Sequence, residues 1–252
     1  MEAKIVKQLT AGCTALKASL CLAVLLIAVC GCFTESHAQS ASRRPLPKMR
    51  VVIDASHDGG AWWFPQGPAP FDRKKPHQGD HLAAYLRGRG WQVIEIPRGA
   101  KIANQLKGAA IVVRMNVWGT YDQSEVSAYR EFVRNGGRLL LVEGFVRENE
   151  AANDTVAEVF GLRFEGVISG YGFRVAEAGA LKLDFNEVGY QIGSVVVRSP
   201  VNTQPLAHLN DGRLAMGMFR YGRGKVVFLS SLNPMLSVPQ PFTKNLFDLL
   251  AR

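Results

Sequence analysis

Apolar positions between residues 49 and 251 fall into short unbroken runs separated by longer amphipathic stretches. Arg50-Val51-Val52-Ile53-Asp54, Ala109–Met115 and Arg138–Val142 are β-branched or aliphatic runs, the pattern of strands buried on both faces. Trp91–Ile96, closed by Pro97, reads as another strand. Between these runs, residues 78–89 carry Leu82, Tyr85 and Leu86 at helical spacing, with Gly90 as a stop signal. A short helix is predicted near 101–107. Asp122 and Glu125 form a capping box that opens a helix over Ser124–Asn135, stopped by Gly136-Gly137. Asn153 caps a further helix ending at Gly161. This alternation predicts an α/β fold with three layers, a mainly parallel sheet between helices on both faces.

The pattern changes after Leu162. Residues 162–212 hold turn residues and short alternating pieces such as Ser194-Val195-Val196-Val197-Arg198 and read as a β-rich excursion. Arg213–Tyr221 and Lys225–Ser230 flank Gly222-Arg223-Gly224, which reads as a hairpin. Thr243–Ala251 is an amphipathic helix with Leu246, Phe247, Leu249 and Leu250. Residues 55–77 form a long loop rich in Gly and Pro.

The first 38 residues differ in kind. Lys4, Lys7 and Lys17 precede an apolar run from Ala18 to Cys32, shorter than the roughly 20 residues a membrane span needs. That run suits a secretory signal, and Ser36-His37-Ala38 offers small residues at the cleavage positions. The expectation is a signal peptide over 1–38, a polar tether over 39–48 and one domain over 49–252. The alternative is a lipoprotein signal, since Val29-Cys30-Gly31-Cys32 resembles a lipobox ending at Cys32. The expected location is the periplasm or the exterior, with membrane attachment only through a lipid on Cys32.

Cys13, Cys21, Cys30 and Cys32 are the four cysteines of the chain. Cleavage therefore leaves a domain without disulfides, cysteine-ligated zinc or a thiol nucleophile. The leader holds three Lys/Arg and two Asp/Glu, so the remainder carries 27 against 19, a formal charge of +8. These cations are scattered rather than packed on one helix, which argues against nucleic acid as a partner.

Several ordered segments carry a family resemblance. Val51-Val52-Ile53-Asp54-Ala55-Ser56-His57 is followed by Gly90-Trp91-Gln92-Val93. Next come Tyr129–Val133 running into Gly136-Gly137-Arg138-Leu139-Leu140-Leu141, then Phe160-Gly161-Leu162 and Phe219–Leu229. Together, over roughly 49–251, they resemble the class I glutamine amidotransferase-like superfamily, nearest in flavour to exported domains related to ThuA-like and GIFT domains. The resemblance implies a flavodoxin-like sheet in a branch where binding and assembly roles are common. Amidotransferase members place a Cys after the strand that here is Arg138–Val142, but Glu143 and Gly144 stand there. The late His and Glu of those members are also missing from Ser230-Ser231-Leu232-Asn233-Pro234. The resemblance therefore excludes amidotransfer in this chain.

Open α/β sheets bind ligands at the carboxyl ends of their strands. The candidate residues there are Asp54, Ser56 and His57 after the first strand, Arg114 and Asn116 after the third, and Glu143 after the fourth. Arg114 reads either as an anchor for an anionic group or as half of a buried ion pair. Glu143 reads either as a base or as an exposed acid pairing with Arg147 or Arg114. Trp62 and Trp63 in the long loop supply aromatic faces for a sugar ring, or plug the loop onto the domain. His57, His77 and His81 with Asp54 could hold a divalent metal, although His77 and Asp80 could equally cap a helix. The leading expectation is a noncatalytic domain without a cofactor that recognises an envelope glycan or a protein. A metal-assisted hydrolase and an envelope scaffold are the alternatives.

Overall fold

The apolar runs become the parallel half of one sheet. A computed structural model of the chain describes residues 49–54, 56–57, 79–96, 99–115, 121–143, 154–175, 187–231 and 241–252. All of these lie in the unit Pro47–Arg252, one of two into which the chain divides. In chain order its elements are β1 (Arg50–Asp54), α1 (Asp80–Gly88), β2 (Gln92–Ile96), a 3-10 turn (Ile102–Asn104), β3 (Ile111–Met115), α2 (Gln123–Arg134) and β4 (Arg138–Val142). They continue with α3 (Asp154–Val159), β5 (Arg163–Val175), β6 (Glu187–Arg198), β7 (Gln204–Leu209), β8 (Leu214–Tyr221), β9 (Gly224–Leu229) and α4 (Pro241–Ala251).

Among the described residues, nine strands form one sheet in the order β2-β1-β3-β4-β9-β8-β7-β5-β6. The first five are mutually parallel and the remainder pair antiparallel. The parallel half has the flavodoxin-like order, in which the connections leave β1 and β3 in opposite directions and open a crevice between their carboxyl ends. The expected β-rich excursion is the antiparallel extension.

Each parallel strand feeds two cores, which explains its lack of polar alternation. Val51, Ile53, Val113, Leu140 and Val142 pack with α1 and α4, around Leu82, Leu86, Leu246 and Phe247. Val52, Val112, Leu139 and Leu141 pack with α2 and α3, around Tyr129, Val133, Val156 and Phe160. The parity of a strand carries on past its last apolar residue. Asp54, Arg114 and Glu143 therefore project toward the face covered by α2. That parity places the site.

Two details hold the parallel and antiparallel halves together. The β8–β9 turn reads Gly222-Arg223-Gly224, with Gly222 at φ 59°, and it presses on the carboxyl end of α2. Arg223 N donates to Arg134 O at 3.0 Å. A Cβ on Gly224 would lie 2.2 Å from the carbonyl oxygens of both Gly137 and Val133. At the other end of the sheet, Gly193 of β6 forms a bridge with Ser231, just beyond β9. The extension thus curls back over the carboxyl ends of the parallel strands.

Candidate functional site

The site begins with the strand ends. Asp54 and Arg114 are register partners on β1 and β3, and Glu143 follows β4 directly. All three are buried, with Arg114 and Glu143 fully enclosed. Isolated charges in such a place are untenable, so each must have partners on hand.

Asp54 has four donors. Its Oδ1 accepts from Ser56 N at 2.9 Å and from Ser56 Oγ. Its Oδ2 accepts from Tyr121 OH at 2.7 Å and from Tyr129 OH. Tyr129 comes from the buried stripe of α2, and Tyr121 from the approach to that helix. Burial first, and the Asp54 carboxylate second, push both phenols well above the ordinary tyrosine range. They stay protonated and serve as fixed donors.

Arg114 Nη1 donates to Glu143 Oε1 in a fully buried ion pair. The guanidinium also lies 5.2 Å from the centre of the Tyr121 ring. Burial alone would lower its pKa, but Glu143 and the two tyrosines outweigh burial and hold it above the usual arginine value. The backbone beside Glu143 is tied down as well. Glu143 N donates to Leu229 O at 2.9 Å, Ser194 N donates to Ser230 O at 2.9 Å, and Ser194 Oγ reaches Glu143 O at 3.4 Å. Ser194, Ser230 and Ser231 are all fully buried. The position after β4 is therefore roofed by the curled extension. The expected pairing of Glu143 with Arg114 is present, in a buried rather than an exposed position.

His57 makes the outer edge. Its Nε2 lies 3.0 and 3.1 Å from the two oxygens of Glu125, and its ring lies 4.2 Å from that of Tyr121. Glu125 has a second duty in the capping box: Glu125 N donates to Asp122 Oδ1, and Asp122 N donates to Glu125 Oε2, both at 2.9 Å. The capping box thus fixes the amino end of α2 and the chain after β1 relative to each other. The His57 side chain is about one-fifth exposed, the most accessible member of the cluster.

The structure thus joins Asp54, Ser56, His57, Arg114 and Glu143 into one cluster. Asn116, Trp62, Trp63 and His77 lie outside the described residues. His81 is well exposed on α1, with Nε2 3.9 Å from Asp80 Oδ1. The helix cap at Gly79 involves no side-chain bond, so Asp80 sits in the first turn rather than capping it. Among the described residues, no group of three or more His, Cys, Asp or Glu side chains is placed to hold a metal. No described helix is long and apolar enough to cross a membrane.

Sequence reasoning missed Tyr121, Tyr129 and the second role of Glu125. The tyrosines meet Asp54 across 67 and 75 residues, a pairing that no local spacing announces. The one available signal was Tyr129, a phenol on the buried stripe of a helix, whose hydroxyl needs a partner once buried.

No family model matches the chain, and no curated protein matches it. Solved structures do. The mmIFT52 N-terminal domain is similar at a TM-score of 0.61 and 12% identity, over 80% of this chain and 97% of that one. Cytoplasmic protein STM1381 from Salmonella typhimurium LT2 is similar at 0.60 and 16%, over 81% and 98%. A ThuA-like protein from Bacteroides uniformis is similar at 0.53 and 10%, over 84% and 94%. At these identities the likeness is one of fold alone.

Proposed function

We propose that this chain is an exported, noncatalytic member of the amidotransferase-like superfamily, related to ThuA-like and GIFT domains, that binds an envelope glycan or a protein partner. One observation supports this reading above the others. The position where an amidotransferase carries its nucleophile holds Glu143, fully buried and paired with a fully buried Arg114. A general base or nucleophile needs to reach a substrate atom at hydrogen-bond distance. Glu143 lies beneath β6, and Asp54 already has four donors on its two oxygens. The cluster fastens β1, β3, β4 and α2 together at the switch point, which makes a rigid seat for recognition by the segments that follow these strands in sequence.

The aromatic residues Trp62 and Trp63, shortly after His57 in sequence, are the proposed contact with a sugar ring or an apolar partner surface. The test is co-sedimentation of the processed protein with insoluble envelope polymer, compared with the Trp62→Ala/Trp63→Ala variant. Retention of the wild type and loss of the variant is the expected outcome. Equal behaviour of the two would count against this contact, and turnover of a substrate abolished by Glu143→Gln would count against a noncatalytic role.

A further inference from the structure

At the end of the sheet opposite the Asp54 cluster, three cations stand in a row. Arg138 is the register partner of Lys225 across β4 and β9, and Lys225 is the partner of Arg220 across β9 and β8. Strand parity puts all three on one face, shared with Leu140, Val227 and Met218, which pack toward α4. Neighbouring strands lie about 4.8 Å apart, and like charges directly opposite each other destabilise a sheet. Arg252, immediately past α4, adds a fourth charge. The formal charges that act appreciably on Lys225 come from Arg138, Arg220 and Arg252, and all are positive. Burial first, and these three cations second, hold the Lys225 amine below the usual lysine range. Lys225 Nζ donates to Leu249 O at 3.1 Å, a carbonyl at the carboxyl end of α4. The helix end compensates one cation in part. Among the described residues, no ion pair joins a carboxylate to any of the four.

Cations side by side, with no carboxylate paired to them among the described residues, are stabilised when an anion completes them. We propose that Arg138, Lys225, Arg220 and Arg252 form an oxyanion site for a phosphate-type group. Planar guanidinium forks match phosphate oxygens in pairs, and an ammonium adds a point charge. The site lies at the amino ends of β4 and β9, away from the crevice at β1 and β3, and does not depend on the recognition proposed there.

The phosphate could be a soluble ion or a lipid headgroup, and titration separates the two. Inorganic pyrophosphate is added to the wild type and to Arg220→Gln/Arg252→Gln, which changes only exposed side chains. Both proteins are also floated with vesicles of phosphatidylcholine containing phosphatidylglycerol. Lys225 is followed by NMR of its side-chain carbon during a pH titration. Saturable pyrophosphate binding, weakened about tenfold or more in the variant, is expected, together with an upward move of the Lys225 titration when pyrophosphate is present. Flotation that is lost in the variant assigns the site to headgroups as well; pyrophosphate binding without flotation assigns it to soluble phosphates. Absence of both kinds of binding, equal binding by the variant, or a Lys225 titration indifferent to bound pyrophosphate would overturn the proposal.

Discussion

At the residue scale, the site is defined by how its charges are used up. Tyr121 and Tyr129 are raised phenols that keep their protons to serve Asp54. A raised phenol adds no pH dependence below the unfolded tyrosine value near 10. Above it the unfolded chain loses protons that the folded chain keeps, so stability falls as pH rises from that value toward the folded ones. The chain has six tyrosines. In an alkaline titration followed at the tyrosinate absorbance band, at least two of them should stay silent until the protein unfolds. Titration of all six at ordinary pH with the fold intact would contradict the buried network. Asp54 and Glu143 were readable as strand-end residues because the apolar runs before them end so cleanly. Their partners were not readable, because Tyr121 and Tyr129 reach Asp54 only once α2 lies over β1.

At the element scale, local chemistry was the better guide. Strands β1 and β4 have the expected bounds, since an apolar run between polar ends leaves little freedom in where a doubly buried strand stops. Helix α2 starts at Gln123, one residue before the expected Ser124, directly after the expected cap Asp122. The helix expected near 101–107 is only the 3-10 turn Ile102–Asn104, with Ile102 buried as its anchor. The excursion was legible as strand but not as two long strands. Its β5–β6 ladder contains register shifts at Arg163/Phe164 and Glu165/Ile168, and such breaks scramble a two-residue period. The β8–β9 turn is legible for a physical reason visible only in three dimensions: Gly224 lies against two carbonyls of the α2 end. Gly224→Ala is expected to cost about 1–3 kcal/mol of unfolding free energy, as overpacking does. Urea denaturation reads this directly, and a variant as stable as the wild type would mean that the turn does not press on α2.

At the scale of the whole molecule, the parallel half provides the flavodoxin-like crevice and the antiparallel half closes over part of it. Three layers and a switch point follow from the alternation of runs and amphipathic stretches. The order in which β9 joins β4, and β6 returns to Ser231, depends on contacts too distant in sequence for any pattern to show. That return roofs Glu143 and leaves its ion pair with Arg114 fully enclosed at the end of β4. Removing one member of a buried pair leaves the other charge stranded, whereas replacing both with apolar groups relieves the desolvation cost.

The direct measurement is the unfolding free energy of Arg114→Met, Glu143→Leu and the double variant in urea. Each single change is expected to lose about 3–5 kcal/mol, and the double to recover most of that loss. A Glu143→Leu protein at least as stable as the wild type, the behaviour of a carboxylate kept for catalysis at the expense of stability, would contradict a structural pair and a noncatalytic site.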